Sequence, residues 1–244
     1  MKVLAVLPAR WSSTRFPGKP LVPIAGVPMI LRVWQRAKQA KLITDVVIAT
    51  DDERIVRTCR EAGAEVEVTR SDHATGTDRI QEVSERRPAD IYVNVQGDEP
   101  IIDPAVIDAV VGCLQAALPR GIDVATAYLT DLPTERAHSP NCVKLVPRRD
   151  GCVMTFSRLP VPLAFNEAMP YSLHIGLYAY TASALKRFVS RARGPVERAE
   201  SLEQMRFFEY GDQIACVPVT SPSIGVDVPE DVGKVEALIR AGAV

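Results

Sequence analysis

The chain has 244 residues, 47% hydrophobic and 24% charged, which excludes intrinsic disorder, collagen-like repeats and a disulfide-dense scaffold. With 29 basic against 30 acidic residues the net charge is −1, so no global positive field draws the protein onto nucleic acid or an anionic membrane, and any anion must be held locally. Five scattered cysteines without a Cys-x-x-Cys pair, no run near the roughly 20 apolar residues of a membrane span, and an opening apolar stretch too short for a signal peptide predict a soluble cytoplasmic protein.

Short apolar runs alternate with helical patterns through the first half. Val3 to Leu7, Val46 to Ala49, Val66 to Val68 and Ile91 to Val95 read as strands buried on both faces. Between them, Met29, Ile30, Val33, Trp34 and Ala37 recur on one helical face, as do Ile55, Val56 and Cys59, and Pro104 opens a third helix. From about Asp123 the rhythm turns to strands: Val124 to Tyr128, Val143 to Val146 and Val153 to Ser157, the last two joined by a turn at Asp150-Gly151. Helical patterns return at Ala182 to Ser190, Arg198 to Tyr210 and Pro229 to Ala241. The expected fold is α/β, a Rossmann-like, mostly parallel sheet flanked by helices, with a β-rich insertion in a single domain spanning residues 1–244.

The loop after the first strand, Pro8 to Pro20, carries Arg10, Arg15 and Lys19 beside hydroxyls and Gly18. Loops at the carboxyl ends of parallel strands line the binding crevice, so these cations are placed to grip phosphates; the same loop also fits a basic surface paired with nearby acids. Pro20 follows the lysine where a P-loop needs Ser or Thr, and no Gly-x-Gly-x-x-Gly occurs, so ATPase and dinucleotide-dehydrogenase readings lose their support. Val95-Gln96-Gly97-Asp98-Glu99-Pro100 ends another core strand, and Asp98 there is a metal ligand facing the cationic loop or simply a turn residue. Asp227, in Gly225-Val226-Asp227-Val228-Pro229, precedes the last helix and by spacing alone reads first as its cap.

These stretches, together with Ala49 to Asp52, Thr69 to Arg79, Pro140 to Lys144, Phe156 to Arg158, His174 to Tyr178 and Ser201 to Arg206, occur in the order found in the 3-deoxy-manno-octulosonate (Kdo) cytidylyltransferases, and the chain resembles that family nearly end to end. The resemblance implies a nucleotide-diphospho-sugar transferase type of fold and a reaction of CTP with Kdo giving CMP-Kdo and diphosphate, with Mg²⁺ as cofactor, in lipopolysaccharide biosynthesis. It further implies that residues 1–122 mainly bind CTP, that 123–220 mainly bind sugar and form a homodimer, and that nucleic acid and membrane are not partners.

Residue by residue, Ala9, Arg10, Ser13, Arg15 and Lys19 resemble the CTP-phosphate loop, with Lys19, Arg15 and Asp98 catalytic and Asp98 and Asp227 the metal carboxylates. Arg70, Thr75 and Gly76 resemble the part that contacts cytosine and ribose. Gln96, Arg158, His174, Tyr178, Glu203 and Gln204 resemble the sugar pocket. Trp11 departs from the family's smaller or phenolic residue, which leaves sugar preference open to 8-amino-Kdo. A cytidylyltransferase for another acidic sugar, such as a sialic acid, is the nearest rival, and a non-catalytic nucleotide sensor is the rival from another class.

Overall fold

Strand β1 (Val3–Ala9) is buried along nearly its whole length, with Leu4, Ala5, Val6 and Leu7 fully enclosed, because it lies between two parallel neighbours under helices on the sheet's faces. The structure, a computed structural model, describes residues 1–12, 16–167, 169–221 and 224–242. Two compact units form, Met1–Asp108 with Ser223–Val244, and Ala109–Pro222, so the second is inserted into the first.

In the first unit, β1 is followed by the two-residue strands β2 (Pro23–Ile24) and β3 (Val27–Pro28) and by helix α1 (Met29–Ala37). Then come β4 (Asp45–Thr50), α2 (Glu53–Glu61), β5 (Glu65–Val68), α3 (Gly76–Arg86), β6 (Ile91–Asn94) and the start of α4 (Pro104–Ala117). The boundary between the two units falls inside α4. The strands run parallel in the order β6-β1-β4-β5, so the carboxyl ends of β1 and β6 lie side by side, Val6 opposite Asn94.

The second unit contains β7 (Val124–Leu132), α5 (Thr134–Ala137), β8 (Lys144–Pro147) and β9 (Val153–Ser157). It continues with β10 (Tyr171–Thr181), α6 (Ala182–Ser190), α7 (Pro195–Glu200), α8 (Met205–Glu209) and β11 (Ala215–Val219). Strand β10 pairs antiparallel with both β7 and β8, β9 pairs antiparallel with β8, and β11 runs parallel to β7. Gly151, at φ 78°, turns the chain between β8 and β9 as the Asp150-Gly151 pair predicts.

The single helix expected over Arg198 to Tyr210 is two. Ser201 takes a left-handed conformation, φ 50°, which ends α7, and Leu202 turns into the core before α8 begins.

The chain then returns to the first unit as α9 (Pro229–Arg240). Buried Val226 and Val235 pack there with Ile24, Met29 and Ile101, fixing the segment before the helix. No helix among the described residues is long and apolar enough to cross a membrane.

Candidate functional site

The carboxyl ends of β1 and β6 and the N-terminus of α3 enclose a cavity of about 380 Å³, lined among others by Ala9, Arg10, Lys19, Gly76, Gln96 and Asp98. The chain leaving β1 doubles back on itself: Gly18 N–H donates to the Trp11 carbonyl at 3.1 Å, and Gly18 adopts φ 72°, a conformation open to glycine at little cost. A methyl group on Gly18 would meet the Trp11 ring at 3.1 Å, and the Arg54 guanidinium covers that ring at 3.4 Å. Trp11, the departure noted above, is thus held between α2 and the loop. Lys19 opens a short 3₁₀ turn, Lys19–Leu21, that sets its side chain toward β6.

Lys19 Nζ donates to Asp98 Oδ2 at 2.7 Å and lies 3.6 Å from Asp227 Oδ1. The two carboxylates, far apart in sequence, converge because Val226 N–H donates to the Asp98 carbonyl at 2.9 Å while its side chain is buried. Asp227 follows Val226, is about half exposed and faces Lys19. The cap position of α9 belongs to Val228, and the Asp231 carboxylate accepts from the backbone N–H groups of Asp227 and Val228.

On the other wall, Thr75 and Asp78 cap α3 reciprocally, the Thr75 hydroxyl accepting from Asp78 N–H and the Asp78 carboxylate from Thr75 N–H. Gly76 lines the cavity; Thr75 is spent on the cap. Arg70 does not reach the cavity: its guanidinium is exposed and pairs with Asp72 at 3.4 Å, with Glu82 beyond. Ser13 and Arg15 lie outside the described residues. Arg10 lines the cavity and has one guanidinium nitrogen buried without a partner among the described residues, an anion donor held in reserve.

Sequence reasoning missed two buried groups beside this site. Arg79 is fully enclosed, bonded to Thr69 and, at 2.7 Å, to Asp51; burial lowers its pKa, although Asp51 opposes the shift. Asn94 is fully enclosed beside Gly76, with its amide unpartnered among the described residues. The Ala49 to Asp52 and Thr69 to Arg79 stretches were the available signal for the first; nothing short of the fold signals the second.

Of the six residues expected at the sugar, Gln96 lines the cavity in the first unit and the other five belong to the second. His174 on β10 packs edge-on to Phe156, ring centroids 4.9 Å apart, and near Tyr178 at 5.3 Å. The Thr126 hydroxyl lies within hydrogen-bond distance of the Leu177 carbonyl at 2.8 Å, the Ile175 carbonyl at 3.2 Å and His174 Nε2 at 3.1 Å. Burial pushes the His174 pKa down to about 3, leaving the ring neutral. Burial also raises the Tyr178 phenol well above its usual value, with the charge of nearby Glu203 adding to the shift.

Gln204 is buried at the start of α8. The Arg158 guanidinium donates through three of its five N–H groups to the carbonyls of Glu200 at 2.5 Å, Pro140 at 2.7 Å and Ser201 at 3.3 Å. The fully buried Lys144 braces the same region by donating to the carbonyls of Ser139, Cys142 and Arg158, and burial lowers its pKa.

Residues 4–214 match the family model described as cytidylyltransferase. The chain is 46% identical to a 3-deoxy-manno-octulosonate cytidylyltransferase of Syntrophotalea carbinolica, covering 98% of this chain and 99% of that protein. It is 40% identical to the mitochondrial 3-deoxy-manno-octulosonate cytidylyltransferase of Arabidopsis thaliana, covering 98% of this chain and 83% of the relative. The solved structure of CMP:2-keto-3-deoxy-manno-octonic acid synthetase complexed with CTP superposes with a TM-score of 0.94 at 38% identity, over 99% of this chain and 100% of the other. A glucose-1-phosphate thymidylyltransferase structure from Bacillus anthracis, at 14% identity and a TM-score of 0.69, covers 98% of this chain and 95% of that one and shares the fold.

Proposed function

The chain belongs to the 3-deoxy-manno-octulosonate cytidylyltransferase family and makes CMP-Kdo from CTP, and from that premise we propose how its residues divide the work. In the reaction the 2-hydroxyl oxygen of Kdo forms a bond to the α-phosphorus of CTP, the bond from that phosphorus to the bridging oxygen breaks, and diphosphate leaves as the hydroxyl proton is lost. Such chemistry asks the protein for in-line positioning and for neutralisation of charge.

Arg10 and Lys19 take the triphosphate. The observation that carries this reading is the convergence of Lys19 with Asp98 and Asp227 at the mouth of the cavity, where Arg10 keeps a nitrogen unpartnered among the described residues. Ala9 supplies backbone beside the nucleotide, and Gly76 lets it approach the N-terminus of α3, whose dipole favours negative charge. Arg15 and Ser13 belong to the same loop by resemblance.

Asp98 and Asp227 hold Mg²⁺. Their hard carboxylate oxygens suit it, and two are enough because the ion completes its shell with phosphate oxygens and water; no group of three His, Cys, Asp or Glu side chains among the described residues offers an all-protein cage. When bound, the ion neutralises triphosphate charge and polarises the phosphoryl oxygens.

By resemblance, Gln96 of the first unit and Arg158, His174, Tyr178, Glu203 and Gln204 of the second are assigned to the sugar, with His174 acting as a neutral hydrogen-bonding group. Arg158 contributes by bracing the segment around Ser157 and Ser201. The protein works in the cytoplasm as a homodimer, a reading that rests on resemblance and on the exposed apolar side chains of Leu159, Leu163 and Phe165 in the loop between β9 and β10.

The test is diphosphate release from CTP with Kdo, 8-amino-Kdo or N-acetylneuraminate, each with and without Mg²⁺. Fastest turnover is expected with Kdo, and it should vanish on chelation. Preference for either other sugar overturns the substrate assignment, metal-independent turnover overturns the cofactor, and CTP binding without diphosphate release from any sugar establishes the nucleotide sensor instead.

A further inference from the structure

Lys19 stands where a cation is needed before any metal arrives. Its side chain is only 14% exposed, and its ammonium bonds Asp98 Oδ2 at 2.7 Å and lies 3.6 Å from Asp227 Oδ1. Two carboxylates drawn together by the backbone contact between Val226 and Asp98 repel each other, and one positive charge between them relieves the repulsion. We propose that Lys19 is the placeholder of the metal site, holding Asp98 and Asp227 in register in the free protein and leaving them for the triphosphate when a divalent ion is seated.

The inference rests on the metal reading given above and adds an order to it. A divalent ion bound at the Asp98 carboxylate would sit a few ångströms from the Lys19 ammonium, so the two cations compete for one pair of anions. The triphosphate removes the competition by offering Lys19 a new anionic partner. Metal and nucleotide therefore each favour the binding of the other, and the coupling must be reciprocal. The free protein should consequently bind divalent ions poorly despite having the ligands in place, which keeps the two carboxylates from being filled before CTP arrives. A lysine suits the role because its charge is a compact point on a flexible stem that can swing between carboxylate and phosphate.

The test is Mn²⁺ titration of the nucleotide-free protein by electron paramagnetic resonance, a readout independent of turnover. Lys19→Met keeps the stem and removes the charge, and Lys19→Arg keeps the charge. The Met variant should bind Mn²⁺ about tenfold tighter than the parent, equivalent to roughly 1.4 kcal/mol, while the Arg variant should bind as weakly as the parent. Adding Asp98→Asn to the Met variant should abolish the gain.

Equal affinity in the parent and the Met variant overturns the placeholder and leaves the metal assignment standing, as does a gain that survives Asp98→Asn. Absence of Mn²⁺ binding in every variant, with CTP as well as without it, overturns the metal assignment and the placeholder together.

Discussion

Gly97 joins Gln96 to Asp98, and a single added methyl there tests whether the two edges of the cavity are held at fixed separation. A Cβ on Gly97 would lie 2.8 Å from the Pro8 carbonyl oxygen and 3.2 Å from Ile30 Cδ1. Carbon to carbonyl-oxygen contacts normally fall at about 3.3–3.6 Å, so Gly97→Ala must push the end of β1 and the segment carrying Asp98 apart by roughly half an ångström. The Pro8 oxygen is backbone and cannot rotate away as a side-chain tip would. Overpacking of this kind costs about 1–3 kcal/mol.

The same displacement separates Arg10, two residues beyond Pro8, from Asp98. Because a misplacement of about 1 Å can cost about 10²-fold in rate, half that should lower kcat roughly tenfold. Diphosphate release gives kcat and KM for CTP, and urea denaturation gives the stability change. Gly112→Ala is the control: it lies inside α4, a methyl there meets nothing within 4 Å, and removing a helical glycine should stabilise by about 0.5–1 kcal/mol without altering turnover. If Gly97→Ala matched this control in stability and rate, the claim that close backbone approach sets the cavity would be wrong.

Two further outcomes follow from the second unit. His174 has its pKa depressed in the folded state, to about 3, against about 6.5 when unfolded. The unfolded chain therefore binds the proton first, and the stability present above pH 6.5 drains away as pH falls toward 3. Urea midpoints between pH 7.5 and 4.5 should fall for the parent and fall less steeply for His174→Gln; a ring resonance that titrates near pH 6.5 in the folded parent and is missing from His174→Gln would refute this.

Glu197, fully buried, accepts two bonds from Arg206, at 2.7 and 2.6 Å, and one from Arg193 at 3.0 Å. Glu197→Gln leaves the Arg206 charge enclosed and should cost about 3–5 kcal/mol, whereas the double change Glu197→Gln with Arg206→Met should recover much of that loss. A loss under about 1 kcal/mol in the single variant, measured by chemical denaturation, would show that water enters the pair.

The legible parts of this fold are those where a local pattern has one physical solution. Val3 to Leu7 is a continuous apolar run of strand length and Ile91 to Val95 is one broken only by Asn94, and the structure buries both on both faces. His174 to Tyr178 was readable as a motif and not as part of a strand, since β10 carries half-buried residues from Tyr171 to His174 and a register shift between Ile175 and Tyr178. Arg198 to Tyr210 shows helical spacing throughout; only the left-handed Ser201, a backbone state no hydrophobic pattern encodes, divides it. Arg158 carries bonds that no local pattern announces: besides the Pro140 carbonyl it donates to the carbonyls of Glu200 and Ser201, which lie 42 and 43 residues further along the chain.

Asp227 shows how a residue that looks like a helix cap comes to face Lys19 and Asp98. Had its placement depended on the loop alone, conformational entropy would scatter the carboxylate and weaken any ion held between it and Asp98. Instead the preceding residue is anchored twice, Val226 by its side chain in the cluster with Ile24, Met29, Ile101 and Val235, and by its N–H on the Asp98 carbonyl. Asp231 bonds the backbone of Asp227 itself, so capping the helix and aiming the acid are one event. The apolar residues of α9 thus set the distance between two acids that sequence separates widely, and Met29, which belongs to the same cluster, also lines the cavity at the ends of β1 and β6. Stability of the returning C-terminal helix and geometry of the charged site are consequently a single property: a change that loosens Val226 or Val235 should weaken divalent-ion binding before it unfolds the strands of the first unit.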